Sequence, residues 1–163
     1  MKYPTLVLLG PHTTCNYRCV FCENPHMEHK INSLDKFLTP DIQKLIENAV
    51  TVDISGYGEI ISNPDFKKIV DLLGTYNRQF SMSTNGALLT KDIIDFLADS
   101  SLSLLNVSLN SLDPETYAYL SGGVGQLDKV FQFRSEKEKK AFLQTMVNNF
   151  ISLAKSDGHV DAH

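Results

Sequence analysis

Four times over, the chain alternates a short β-rich apolar run with a segment of helical periodicity. Residues 5–9 (Thr-Leu-Val-Leu-Leu) are stopped by Gly10-Pro11 and read as a buried strand. Residues 50–54, 79–83 and 104–109 are the next three β-rich runs. Behind Thr39-Pro40, an N-cap with proline in the first turn, Ile42, Leu45, Ile46 and Ala49 follow Leu38 at helical spacing. Asn63-Pro64-Asp65 starts a second helix carrying Phe66, Ile69, Val70 and Leu73. Thr90 caps a third with Ile93, Ile94 and Leu97. Asp113-Pro114-Glu115 starts a fourth helical region, with Tyr117 and Leu120, then Leu127, Val130 and Phe131. Residues 23–37 read as polar and irregular. Strands alternating with helices predict an α/β fold with a parallel sheet and right-handed crossovers. Every strand ends in a loop rich in Gly, Asn, Ser or acidic residues. Sites on parallel α/β folds sit at the carboxyl ends of the strands, so the four loops are expected to meet around one site.

Composition narrows the class. The 163 residues are 42% hydrophobic and 21% charged, enough for one domain plus a short appendage, which argues against general disorder. The net charge is −4, and the densest basic stretch, 137–140, is interleaved with Glu136 and Glu138. That leaves no basic face for nucleic acid. No apolar run approaches the roughly 18 residues of a membrane span, and the first apolar run is too short for a signal-peptide core. A cytoplasmic protein with no membrane or nucleic-acid partner is expected.

Three cysteines fall within eight residues, Cys15-Asn16-Tyr17-Arg18-Cys19-Val20-Phe21-Cys22. An odd, tightly clustered set is a poor disulfide framework and reads as a metal site. Soft thiolates select iron–sulfur or zinc. Three of them can hold three irons of a cubane and leave the fourth iron open. The zinc alternative takes His12 or His26 as fourth ligand.

The spacing C-x3-C-x2-C, with Phe21 just before the last cysteine, resembles the cluster loop of the radical S-adenosylmethionine (radical SAM) superfamily. Gly56-Tyr57-Gly58-Glu59 resembles that family's Gly-Gly-Glu motif after the second strand, with Tyr57 in place of a small residue. Ser83-Thr84-Asn85-Gly86 resembles the Thr-Asn-Gly that ends its third strand. Val107-Ser108-Leu109-Asn110 resembles its ribose-contacting fourth strand, with Ser108 and Asn110 sharing one strand face. The resemblance covers residues 5–132. It implies a partial TIM-like barrel of about four βα units. It also implies a 4Fe-4S cluster on Cys15, Cys19 and Cys22. SAM would be lined by Phe21, Gly58, Glu59, Ser83, Asn85, Ser108 and Asn110. A reductant such as flavodoxin or ferredoxin and a small-molecule or peptide substrate follow from the same resemblance. The wording of the motifs is similar to the molybdenum-cofactor GTP cyclase and SPASM/twitch branch.

Two features depart from the family. It usually has six strand–helix units, and this chain supplies about four. An incomplete barrel points to self-association or to a partner chain that completes it. It also leaves open a rival reading: a catalytically degenerate relative acting as a binding module. The chain is expected to divide into a core, 1–132, and a helical tail, 133–163. In the tail, Phe142, Met146, Phe150 and Leu153 form one amphipathic stripe, and His159 and His163 stand four apart. The tail's end also resembles a helix and acidic loop of tellurite-resistance B-like domains.

Overall fold

The computed structural model describes residues 4–31 and 34–131. Four strands, β1 (Leu6–Leu9), β2 (Thr51–Ile54), β3 (Gln79–Thr84) and β4 (Leu104–Val107), form one parallel sheet in the order β1-β2-β3-β4. The helices are α1 (Leu34–Phe37), α2 (Pro40–Asn48), α3 (Phe66–Gly74), α4 (Lys91–Ala98), α5 (Pro114–Leu120) and α6 (Leu127–Phe131). The chain divides into two units after Val130, and the sheet belongs to the first. The amphipathic stripe of the tail, with His159 and His163, lies outside the described residues.

Local chemistry sets the helix starts. Thr39 Oγ1 accepts from the Ile42 amide at 3.4 Å, and Thr90 Oγ1 from the Ile93 amide at 3.3 Å. Asp113 Oδ2 accepts from the Thr116 amide at 2.8 Å. Each such cap satisfies an amide that the first turn leaves without a partner and contributes about 1 kcal/mol.

The register places Leu8, Asp53, Ser81 and Leu104 in one row across the sheet. Side chains alternate along a strand, so the neighbouring rows point the other way. On that other face Val7, Leu9, Val52, Ile54, Phe80, Met82 and Val107 are buried. Ile46 of α2, Phe66, Ile69, Val70 and Leu73 of α3, and Leu97 of α4 complete the core. Burial of an aliphatic or aromatic side chain contributes about 1.5–3 kcal/mol, so this face holds the sheet.

Four expectations need correction. β1 is buried on one face only: Leu8 is 65% exposed and Leu6 49%, on the face opposite the one that buries Val7 and Leu9. β4 stops at Val107, so Ser108 and Asn110 lie beyond the strand. Ser108 still donates its amide to the Thr84 carbonyl at 2.8 Å, and the chain then turns where Ser111 Oγ accepts from the Asp113 amide. The irregular region 23–37 contains a 3-10 turn, Asn24–His26, and the single turn α1. The fourth helical region is two helices, split by the glycines between Leu120 and Leu127.

Candidate functional site

The loops after β1, β2, β3 and β4 open on one cavity of about 220 Å³. The cysteine loop contributes Cys15, Cys19, Cys22, Phe21 and Tyr17. The loop after β2 contributes residues 55–59, the end of β3 residues 83–85, and the segment beyond β4 Ser108 and Asn110. All ten residues singled out in the sequence therefore face the same space.

The cysteine loop is fastened at several points. Its Arg18 and Val20 amides donate to the Ser121 and Leu120 carbonyls at the end of α5, at 3.2 and 3.0 Å. Tyr17, 5% exposed, stacks edge-on against Tyr117, with ring centroids 6.3 Å apart and the hydroxyls 3.4 Å apart. Burial pushes both phenols up from their ordinary pKa. Gly122 sits so close to the loop that a Cβ there would meet the Arg18 carbonyl oxygen at 2.1 Å. Gly122 thus permits the close approach of α5's end to the cysteine loop.

The three thiols are free and half-buried. Burial raises the pKa of Cys15 and Cys19, and the neighbouring thiols add to it, as expected for clustered sulfurs without a cation. Amide hydrogens already aim at two of them: Tyr17 N donates to Cys15 Sγ and Asn24 N to Cys22 Sγ, both at 3.4 Å. Such N–H···S bonds are among the devices that tune iron–sulfur clusters. Among the described residues, no group of three His, Cys, Asp or Glu is gathered around a single-ion site. What fits an iron–sulfur cluster is the chemistry of the donors, three free thiols on one loop lining one cavity. His12, one of the two candidates for a fourth zinc ligand, is directed elsewhere. It is buried, and its Nε2 donates to the Glu59 carbonyl at 2.8 Å. His26, the other candidate, is exposed in the 3-10 turn.

Glu59 is the most connected residue of the site. Its amide donates to the Thr14 carbonyl at 2.9 Å, and its own carbonyl accepts from His12 and from Ser62 Oγ. Its carboxylate is buried. Oε1 accepts from Thr84 Oγ1 at 2.7 Å and the Ile61 amide at 3.2 Å, and Oε2 accepts from the Asn85 amide at 2.7 Å. Burial raises its pKa, against the three donors that lower it. Gly58 beside it leaves no room for a side chain: a Cβ would meet the His12 carbonyl oxygen at 2.6 Å.

Sequence reasoning did not single out Tyr17, Ser55, Tyr57 and Thr84 as lining residues. Each lies inside or beside a motif it had singled out, and that adjacency was the available signal.

The pattern of the radical SAM superfamily matches residues 10–134. The chain belongs to the radical SAM superfamily. That superfamily uses a 4Fe-4S cluster and SAM. Among curated relatives, a probable GTP 3',8-cyclase of Thermococcus kodakarensis is 33% identical over 151 residues, covering 90% of this chain and 47% of the relative. A probable GTP 3',8-cyclase of Sulfolobus acidocaldarius is 33% identical over 149 residues, covering 87% and 45%. The chain therefore spans about half the length of the curated relatives it matches. In fold it is similar to Streptococcus suis SuiB bound to the precursor peptide SuiA. There the TM-score is 0.67, with 22% identity, over 79% of this chain and 29% of that one. It is also similar to BtrN in complex with AdoMet and 2-DOIA, with a TM-score of 0.59 and 17% identity, over 85% and 55%. These neighbours support the partial TIM-like α/β core.

Proposed function

We propose that the chain holds a 4Fe-4S cluster on Cys15, Cys19 and Cys22, binds SAM in the adjoining cavity, and takes part in reductive cleavage of SAM. The observation that carries this is the meeting of the three thiols with the ends of β2, β3 and β4 around one cavity. When bound, cluster and SAM supply a 5′-deoxyadenosyl radical that abstracts hydrogen from a substrate. The protein's own residues bind and orient. Phe21, 62% exposed at the cavity, would supply an apolar surface for the adenine. Gly58 lets the loop after β2 pack against the His12 and Thr14 carbonyls, which sets Glu59 at the cavity, where the SAM amino group would lie. Ser83, Ser108 and Asn110, which line the same cavity, supply the remaining polar contacts. The GTP cyclase relatives favour a purine nucleotide as substrate class. No helix among the described residues is long and apolar enough to cross a membrane, and a cytoplasmic setting with a flavodoxin or ferredoxin reductant fits this chemistry.

The test is anaerobic reconstitution with iron and sulfide, followed by single Cys→Ala changes at the three positions. Wild type should turn brown and, with dithionite and SAM, release 5′-deoxyadenosine. Each substitution should abolish cluster uptake. A colourless protein that takes up zinc instead would overturn the proposal. A second reading, a degenerate partner-binding module, draws on the exposed Leu6, Leu8 and Leu104 of the open sheet face. Cluster uptake without SAM cleavage, together with self-association, would favour it.

A further inference from the structure

Asn85 was expected to contact SAM, yet its polar atoms are committed within the protein. Its amide hydrogen is taken by Glu59 Oε2. Its side-chain Oδ1 accepts from the Ala87 amide at 3.0 Å, which fixes the turn after β3. Its Nδ2 donates to Asn16 Oδ1 at 2.8 Å and reaches Cys15 Sγ at 3.9 Å. Asn16 Oδ1 is also 4.0 Å from Cys15 Sγ, so both asparagines bracket one sulfur.

We infer that Asn85 is a positioning residue for Cys15, aiming a side-chain N–H at its sulfur and thereby setting the reduction potential of the cluster. Two fixed points define the aim, Glu59 at the backbone and Asn16 at the amide. The inference rests on the proposed cluster site and goes beyond it. Cys15 receives two N–H donors, from Tyr17 and Asn85, whereas Cys22 receives one, from Asn24. Hydrogen bonds to a cluster's sulfurs favour its reduced, more negative state. Removing the Asn85 donor should therefore lower the potential.

The experiment is a redox titration, followed by electron paramagnetic resonance, of the reconstituted 163-residue chain without SAM. Asn85→Leu removes the donor without adding charge. Asn85→Asp keeps an acceptor for the Ala87 amide, preserves the turn, and places a negative charge at the sulfur. Both should titrate at more negative potential than wild type, Asp further than Leu. Potentials equal to wild type in both Asn85 variants would overturn the inference. Wild type that takes up no cluster would overturn the underlying reading, and this one with it.

Discussion

Glu59 shows how one side chain can hold a site together. Its carboxylate ties the loop after β2 to Thr84 and Asn85 at the end of β3, and its backbone ties the same loop to His12 and Thr14, just before the cysteines. Removing a buried acceptor leaves its donors unsatisfied at about 1–3 kcal/mol. Glu59→Ala should cost an amount of that order in denaturant unfolding. The raised pKa gives a second prediction. A carboxyl whose folded pKa lies above its unfolded one, about 4.3, binds its proton more tightly when folded. Its contribution is therefore full below the unfolded pKa and is lost as pH rises through the folded one. The stability advantage of wild type over Glu59→Gln should be largest near pH 4 and shrink toward neutrality. An advantage that grows with pH would contradict the burial argument. The sequence showed a carboxylate in a glycine turn but not its partners, because Thr84 and Asn85 are 25 and 26 residues away and meet it only through the β2–β3 register.

Among the elements, the cysteine loop carries the motif but not its own rigidity, which comes from α5 and from the loop after β2. Gly122 lies at φ +78°, and a Cβ there would run into the Arg18 carbonyl oxygen. A Cβ on Gly58 would run into the His12 and Thr14 carbonyl oxygens. Overpacking of this kind costs about 1–3 kcal/mol. Gly58→Ala and Gly122→Ala should each lower the melting temperature by several degrees and reduce iron bound per chain. Gly123→Ala is strained by its φ of +79°, so it too should lose some stability, but its added Cβ meets nothing within 4 Å, so it should bind iron like wild type. Normal iron content in the first two would show that the loop holds its shape alone. Helix starts at Thr39, Thr90 and Asp113 were legible because caps are local chemistry. The end of β4 was not. The apolar alternation runs on to Leu109, while the strand ends at Val107 and Ser108 makes only one further ladder bond.

The whole sheet has one face that holds it and one that is open among the described residues. Ile54 is fully buried, and truncating it to Ala should cost about 2–5 kcal/mol. Leu8→Ala, at a side chain 65% exposed, should change stability by about 0.5 kcal/mol or less. A large loss at Leu8 would mean that something covers this face in solution. The four βα units and their order were legible from periodicity. That one sheet face stays open was not, since residues 5–9 are apolar at both parities and look buried on both sides. The meeting of the loops followed from the parallel topology, which carries every strand's carboxyl end to the same edge. The central claim is that this edge holds a cluster with an open iron. It is tested most directly by electron paramagnetic resonance of the reconstituted, dithionite-reduced chain with and without SAM. A cluster signal that changes on adding SAM is the expected result. A signal indifferent to SAM, or no cluster at all, would contradict it.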